Sequence, residues 1–317
     1  MHYAYKTETQ VDKWLKVAAC YVYPLKSGRA EQVQKLKITS RGPEGDRLWM
    51  LVRDGGPNTG RFLTQRDRGC GKLALVQATY RGDSRIEFKA PDGETLVVGD
   101  ENLSPYEVNV EVWGDKLSVL NAGDEAALWF SDYMQQQCRL VKISDDFARY
   151  ADPLYSTKGD QVSLADGFPL HVTNVESLVE IQDFIPPGVT IGMERFRPNI
   201  VLDGLTPFKE DVIHSVNISG VVLEFVKPCS RCKITTVDQD MGVSTSNEPL
   251  ASLVKTRYGE GLGLNGVFFG QNAIPRTLGE ICVGDDVEIV SEKPMHPAVA
   301  NTKMNYLSGK GRGLRFD

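Results

Sequence analysis

The chain has 317 residues, 41% of them hydrophobic and 25% charged, with 36 Lys and Arg against 42 Asp and Glu. That length predicts about two domains with sizeable cores, and the composition is that of an ordinary globular protein. A net charge of −6 gives no footprint for nucleic acid, although it is compatible with a local basic cleft, and no run approaches the ~20 apolar residues of a membrane helix.

The opening MHYAYKTETQVDKWLK has neither the apolar core of a secretory signal nor the Arg- and Ser-rich character of an organelle leader. The expectation is a cytoplasmic protein whose six cysteines are thiols rather than a disulfide framework. Residues 1–15 are polar and read as a frayed N-terminus. From Val17 the pattern is short strands and turns. VAACYVYPL is a strand ended by Pro24, and RLWMLV is an apolar run before the turn cluster DGGPNTG. KLALVQATYRGDSRIEFKAPDGETLVV reads as three strands with an Asp-Gly turn, and NVEVWGDKLSVLNAG as a hairpin. GDEAALWFSDYMQQQ places Ala127, Phe130 and Met134 at helical spacing, with Asp124 as the expected N-cap. Residues 16–143 are therefore a small β-rich domain ending in a helix.

Residues 144–165 are polar and mixed, and read as the connector opening a second domain over 144–290. A capping box from Thr173 to Glu176 precedes a helical run. PNIVLDG, VNISGVVLEFVKP, GVFFGQNAIP and EICVGDDVEIV are strands. Strands dominate, so the predicted fold is mainly β with some α, two barrel-like domains with a few helices. Residues 291–317 are rich in Lys, Gly and Pro and are read as a loose tail.

KPCSRCKITTVDQDMG, residues 227–242, carries the chemistry. Its Cys229 and Cys232 admit four readings. A zinc site wants four ligands; one Cys-x-x-Cys and four scattered histidines do not supply them. A thioredoxin-type couple wants a helix after the motif, and KITTVDQDMG is β-branched and ends in a turn. A single metal-bound thiolate suits a soft or high-valent metal, favoured by Arg231 and Lys227 nearby. Two buried structural cysteines remain the bland alternative.

The same stretch resembles the signature of the MOSC proteins, most closely the mitochondrial amidoxime-reducing component and its bacterial relatives. YVYPLKSGRA, EGDRLWMLV, FLTQRD, NAGDEAALWFSDY, ADGFPL, RFRPNIVL, NEPLASLVKTR, FGQN and VGDDVEI follow in the family's order, from about residue 16 to 290. The resemblance implies an N-terminal MOSC-associated β-barrel domain, a C-terminal MOSC β-barrel domain and a molybdenum cofactor (Mo-molybdopterin). It implies Cys232 as the catalytic residue and molybdenum ligand, with Cys229 a neighbour without a metal bond. Carried over by position, Lys26, Ser27 and Arg47 would hold the cofactor's phosphate. Arg197 and Asn199 would bind pterin and phosphate from the second domain, and Ser230 and Arg231 would line the metal side. Asp166 and Gly167 lie near the expected site. Mitochondrial members carry Thr and Ser where this chain has Gly167 and Phe168, so hydroxyl contacts there do not transfer, while a Gly backbone N–H could approach an anion.

The implied activity is reduction of small N-hydroxylated substrates, amidoximes and hydroxylamines. A cofactor or sulfur carrier related to the sulfurases is the alternative. The chain is read as having no iron–sulfur module and no dinucleotide fingerprint. Electrons are therefore expected from a separate protein, cytochrome b5-like or ferredoxin-like, with its reductase, and not from NADH or NADPH directly.

Overall fold

The computed structural model describes residues 14–81, 84–300 and 302. The expected frayed start, apart from residues 14 and 15, lies outside the described residues, as does most of the expected tail. Strands dominate, as predicted. The largest sheet has nine strands, ordered 287–292, 213–218, 221–231, 264–275, 170–174, 200–203, 16–22 and 31–33, with 258–261 added on 264–275. Backbone bonds Val17 N to Asp285 O (3.0 Å), Gly284 N to Val17 O (2.8 Å) and Val287 N to Leu15 O (2.9 Å) bring the first strand beside the last and close the sheet. Aliphatic and aromatic side chains fill its interior: Val172, Ile200, Leu202, Val216, Leu223 and Phe225 are all buried in one apolar cluster.

The other sheets are smaller. Strands 49–53, 138–142, 115–121 and 107–112 form one of four, and 77–81, 85–89 and 95–98 form a three-stranded meander. The helix Gly123–Met134 drops Ala126, Phe130 and Met134 into the core between them, with Trp49, Phe88 and Leu140. A third small sheet pairs strand 35–39 with 279–282, so the two halves of the sequence are interleaved. The strands at 16–22 and 31–33, expected in the first domain, are part of the sheet otherwise built from the second.

Local departures have local causes. Asp124 is not the N-cap: Asn121 Oδ1 takes the Gly123 N–H at 3.0 Å, and Asp124 instead accepts from Arg139 at 2.8 Å. The second helix, Val175–Gln182, is capped by Asn174, whose Oδ1 accepts from the Glu176 N–H at 3.1 Å, and not by Thr173. KLALV forms a 3-10 turn, Gly71–Leu75, rather than a strand. Within the expected tail, residues 297–300 form a helical turn that buries Ala298 and Val299 against Phe268. The letters Gly-x-Gly-x-x-Gly do occur, at 261–266, contrary to the expectation from sequence. They span the turn of the hairpin joining 258–261 to 264–275, not a strand-to-helix turn, so the geometry that cradles a pyrophosphate is missing there. No helix among the described residues is long and apolar enough to cross a membrane.

Candidate functional site

One cavity gathers Lys26, Ser27, Arg47, Asp166, Gly167, Arg197, Asn199, Arg231 and Cys232 with Cys229. Of the cofactor-site residues carried over by resemblance, Ser230 alone is absent from its lining; it is exposed near the end of strand 221–231. Lys227 is also drawn elsewhere, to Asp152 at 3.3 Å and over the Tyr155 ring, so it gives no support to a thiolate.

The site is made by backbone bends that sequence patterns do not reveal. Ser27, Arg47, Trp113 and Arg197 all have positive φ (64°, 48°, 54° and 53°), and all four line the cavity. Left-handed backbone in non-glycine residues costs about 1 kcal/mol or more each, and such strain concentrates at functional sites. Arg197 follows the 3-10 turn Met193–Phe196 and donates to Gly28 O at 2.7 Å, tying the second domain to the PLKS loop.

A buried carboxylate organises the cations. Asp46 accepts from Arg47 Nη1 at 2.5 Å, from Asn199 Nδ2 at 3.1 Å and from Tyr23 N at 2.9 Å. Asn199 spends the rest of its amide on Tyr21 O (3.2 Å), the His171 N–H (3.2 Å) and Arg47 Nη1 (3.2 Å). It therefore holds Arg47 in place rather than presenting free donors. Arg47 and Arg197 both lie over the Tyr23 ring, at 4.1 and 4.3 Å from its centroid. Burial lowers Arg197 to about 10, so it stays cationic at neutral pH.

Lys26 is 5% exposed. It donates to Leu164 O at 2.8 Å and to Asp166 at 2.5 Å. Burial lowers its pKa, and Asp166 offsets part of that. The Asp166 side chain is 70% exposed. Partial desolvation pushes its carboxyl up, but Lys26 and the Trp113 N–H outweigh this and hold it well below the usual carboxylate range. Arg149, a connector residue no motif flagged, clamps the loop bearing Asp166 by donating to Ser163 O (3.2 Å), Ala165 O (2.5 Å) and Asp166 O (3.0 Å). A side chain added at Gly167 would meet nothing within 4 Å, so that segment leaves open space beside its backbone.

Arg231 donates to Cys229 Sγ at 2.8 Å and to Phe196 O at 2.8 Å. Its Nε is buried with no hydrogen-bond partner among the described residues. Burial raises the Cys229 thiol, and Arg231 pulls it partly back. Cys232 is half-buried and stands just before the short turn Lys233–Thr236. Burial and Arg231 hold His171 down to about 3; its Nε2 lies 3.1 Å from Phe269 O, so that nitrogen carries the proton of a neutral ring.

Five cations, Lys26, Arg47, Arg66, Arg197 and Arg231, thus line the cavity with one rim carboxylate, Asp166. Among the described residues no group of three or more His, Cys, Asp and Glu could ligate a metal by itself. The donor set instead fits an anion that brings its own metal ligands: fork-shaped cations for phosphate, an unsatisfied buried guanidinium nitrogen, and a soft sulfur to complete the ligation.

Two family models match this chain, the MOSC N-terminal beta barrel domain over residues 14–137 and the MOSC domain over 159–288. Mitochondrial amidoxime reducing component 2 of Bos taurus is 30% identical over 285 residues, 86% of this chain and 82% of that protein. The chain belongs to the MOSC family of the amidoxime-reducing components. The Homo sapiens component 2 is 31% identical over 76% of this chain and 72% of its own length. Molybdenum cofactor sulfurase of Oryza sativa is 26% identical over 83% of this chain, which spans 33% of that longer protein. These MOSC relatives associate the family with the molybdenum cofactor. Arg66, Trp113, Phe62, Asp46 and His171 were not identified from the sequence. Arg66 lies in the FLTQRD motif and Asp46 beside Arg47, so motif membership was the one available signal; Trp113 had none.

Proposed function

We propose that this MOSC chain holds a molybdenum cofactor through Cys232 and reduces small N-hydroxylated compounds, amidoximes and hydroxylamines, to amidines and amines. The observation that carries this is the meeting of a half-buried thiol with five cationic side chains, drawn from both halves of the chain, in one cavity. The bound cofactor would supply two-electron reduction of the N–O bond, RC(NH2)=NOH + 2H+ + 2e− giving RC(NH2)=NH + H2O.

The protein's part is binding and orientation. Lys26, Arg47 and Arg197 hold the phosphate end, with Asp46 and Asn199 fixing the Arg47 fork. Arg231 sets the metal side. Neither Asp166, held ionised by Lys26 and Trp113, nor His171, held neutral by burial, has an acidic proton to give at neutral pH. Electrons come singly from a separate cytochrome b5-like or ferredoxin-like protein.

A second reading, a carrier of cofactor or sulfur, draws on the similarity to the rice sulfurase. One experiment separates them. Protein purified from a host that makes molybdopterin is assayed for molybdenum, pterin and reduction of benzamidoxime with a reduced one-electron dye. Metal, pterin and benzamidine formation are expected together. Bound molybdenum without N–O reduction would establish the carrier reading instead.

A further inference from the structure

The hairpin 107–121 turns on two residues, Trp113 and Gly114, with Val112 paired to Asp115. Their φ values are 54° and 93°, the pattern of a type I′ turn, whose first position favours Asn, Asp or Gly. A tryptophan there is a bulky residue in left-handed backbone. It does not fill a core, for it is 49% exposed. Nor is it loose. Its Nε1 donates to Asp166 Oδ1 at 3.0 Å. Phe62 meets it edge-on, with ring centroids 5.1 Å apart. The Arg66 guanidinium lies 4.2 Å from the ring centroid. All four side chains line the cavity that holds Cys232.

We propose that Trp113 is a stacking platform for substrate, taking a planar conjugated compound ring-to-ring at the mouth of the cavity on the face that Arg66 does not cover. That the compound bears an N-hydroxyl group rests on the reductase reading above; the platform itself rests on the strained turn and the three contacts. Position favours substrate over cofactor as the ring's partner. Lys26 and Arg197, the cations suited to a phosphate, are 5% and 8% exposed and lie deep, whereas Trp113 stands at the open edge. A fixed indole offers dispersion and quadrupole attraction to a flat ring that an alkyl chain cannot match. The site should therefore prefer an aryl over an alkyl amidoxime by about tenfold.

The test is calorimetric titration of the molybdenum-loaded protein with benzamidoxime and acetamidoxime, for wild type, Trp113→Asn and Trp113→Phe. Asn suits the turn, so the first variant should fold, which its thermal unfolding midpoint checks. The aryl-over-alkyl affinity ratio should fall about tenfold in Trp113→Asn and stay within about twofold of wild type in Trp113→Phe. A wild type without the preference, or an unchanged ratio in Trp113→Asn, overturns the proposal. So does a Trp113→Phe protein as impaired as Trp113→Asn, because the indole N–H on Asp166 would then be the cause. Loss of molybdenum and pterin from Trp113→Asn would also overturn it, placing the ring against the cofactor. Binding rather than turnover is read, so a wild type that prefers benzamidoxime through Trp113 yet never reduces it would refute the reductase reading and leave the platform standing.

Discussion

Replacing Lys26 by Met should strip the cofactor while sparing the fold. Lys26 is buried, and its one ion-pair partner, Asp166, has a side chain that is 70% exposed. A pair with an exposed partner contributes little to stability. Burial already disfavours the Lys26 charge, so removing it relieves a desolvation penalty while leaving Leu164 O without its donor. These effects oppose each other, and Met keeps the chain's volume. The melting temperature of cofactor-free protein should stay within about 2 °C of wild type, the shift that roughly 1 kcal/mol produces in a chain of 317 residues. Cofactor binding loses a charge-assisted hydrogen bond to phosphate worth ~1.5–3 kcal/mol, or about ten- to a hundred-fold in affinity. The assay is molybdenum and pterin content per mole of protein, beside thermal unfolding of the cofactor-free protein. Wild-type loading in Lys26→Met would refute the phosphate site. Loading that falls only in step with the melting temperature would refute the reasoning too, by showing a structural role.

Cys232→Ser should lose most metal and all N–O reduction, because a hydroxyl is a hard, high-pKa ligand, whereas Cys229→Ser should retain loading; metal analysis of both decides, and equal losses would mean the two sulfurs act together. His171 titrates near 3 in the fold and near 6.5 in the unfolded chain. Its contribution to stability is therefore complete above about pH 6.5 and lost as pH falls toward 3. His171→Gln should flatten the urea midpoint between pH 6.5 and 4, and an unchanged acid limb would count against this assignment. Purified, molybdenum-loaded protein with benzamidoxime should not oxidise NADH until a carrier protein and its reductase are added, since the Gly-x-Gly-x-x-Gly at 261–266 is a hairpin turn. Sustained oxidation by the protein alone would reveal a nucleotide site.

Much of this protein was legible in its residues. Local pattern located the Asp-Gly turn of the 77–98 meander and the hairpin at 107–121, and helical spacing located 123–134. The ordered motifs brought Lys26, Arg47, Arg197 and Cys232 together on paper, and the fold brings them to one cavity. Those signals are short-range or positional, and a string preserves them. What needed the tertiary structure was everything that depends on a distant partner. The strand at 16–22 looks like any other alternating strand, yet it closes the sheet of the second domain because its free edges meet 200–203 and 284–287 there. Thr173 has the letters of a cap, yet the neighbouring Asn174 supplies the side-chain oxygen that takes the Glu176 N–H. Asn199 looks like a free ligand, yet its amide is committed to Tyr21, Asp46 and Arg47. Lys227 sits beside the cysteines in sequence and turns to Asp152 in space. Propensity and periodicity act within a few residues, whereas sheet closure and the pairing of buried polar groups are set by desolvation across the whole fold, so only the packed chain decides them.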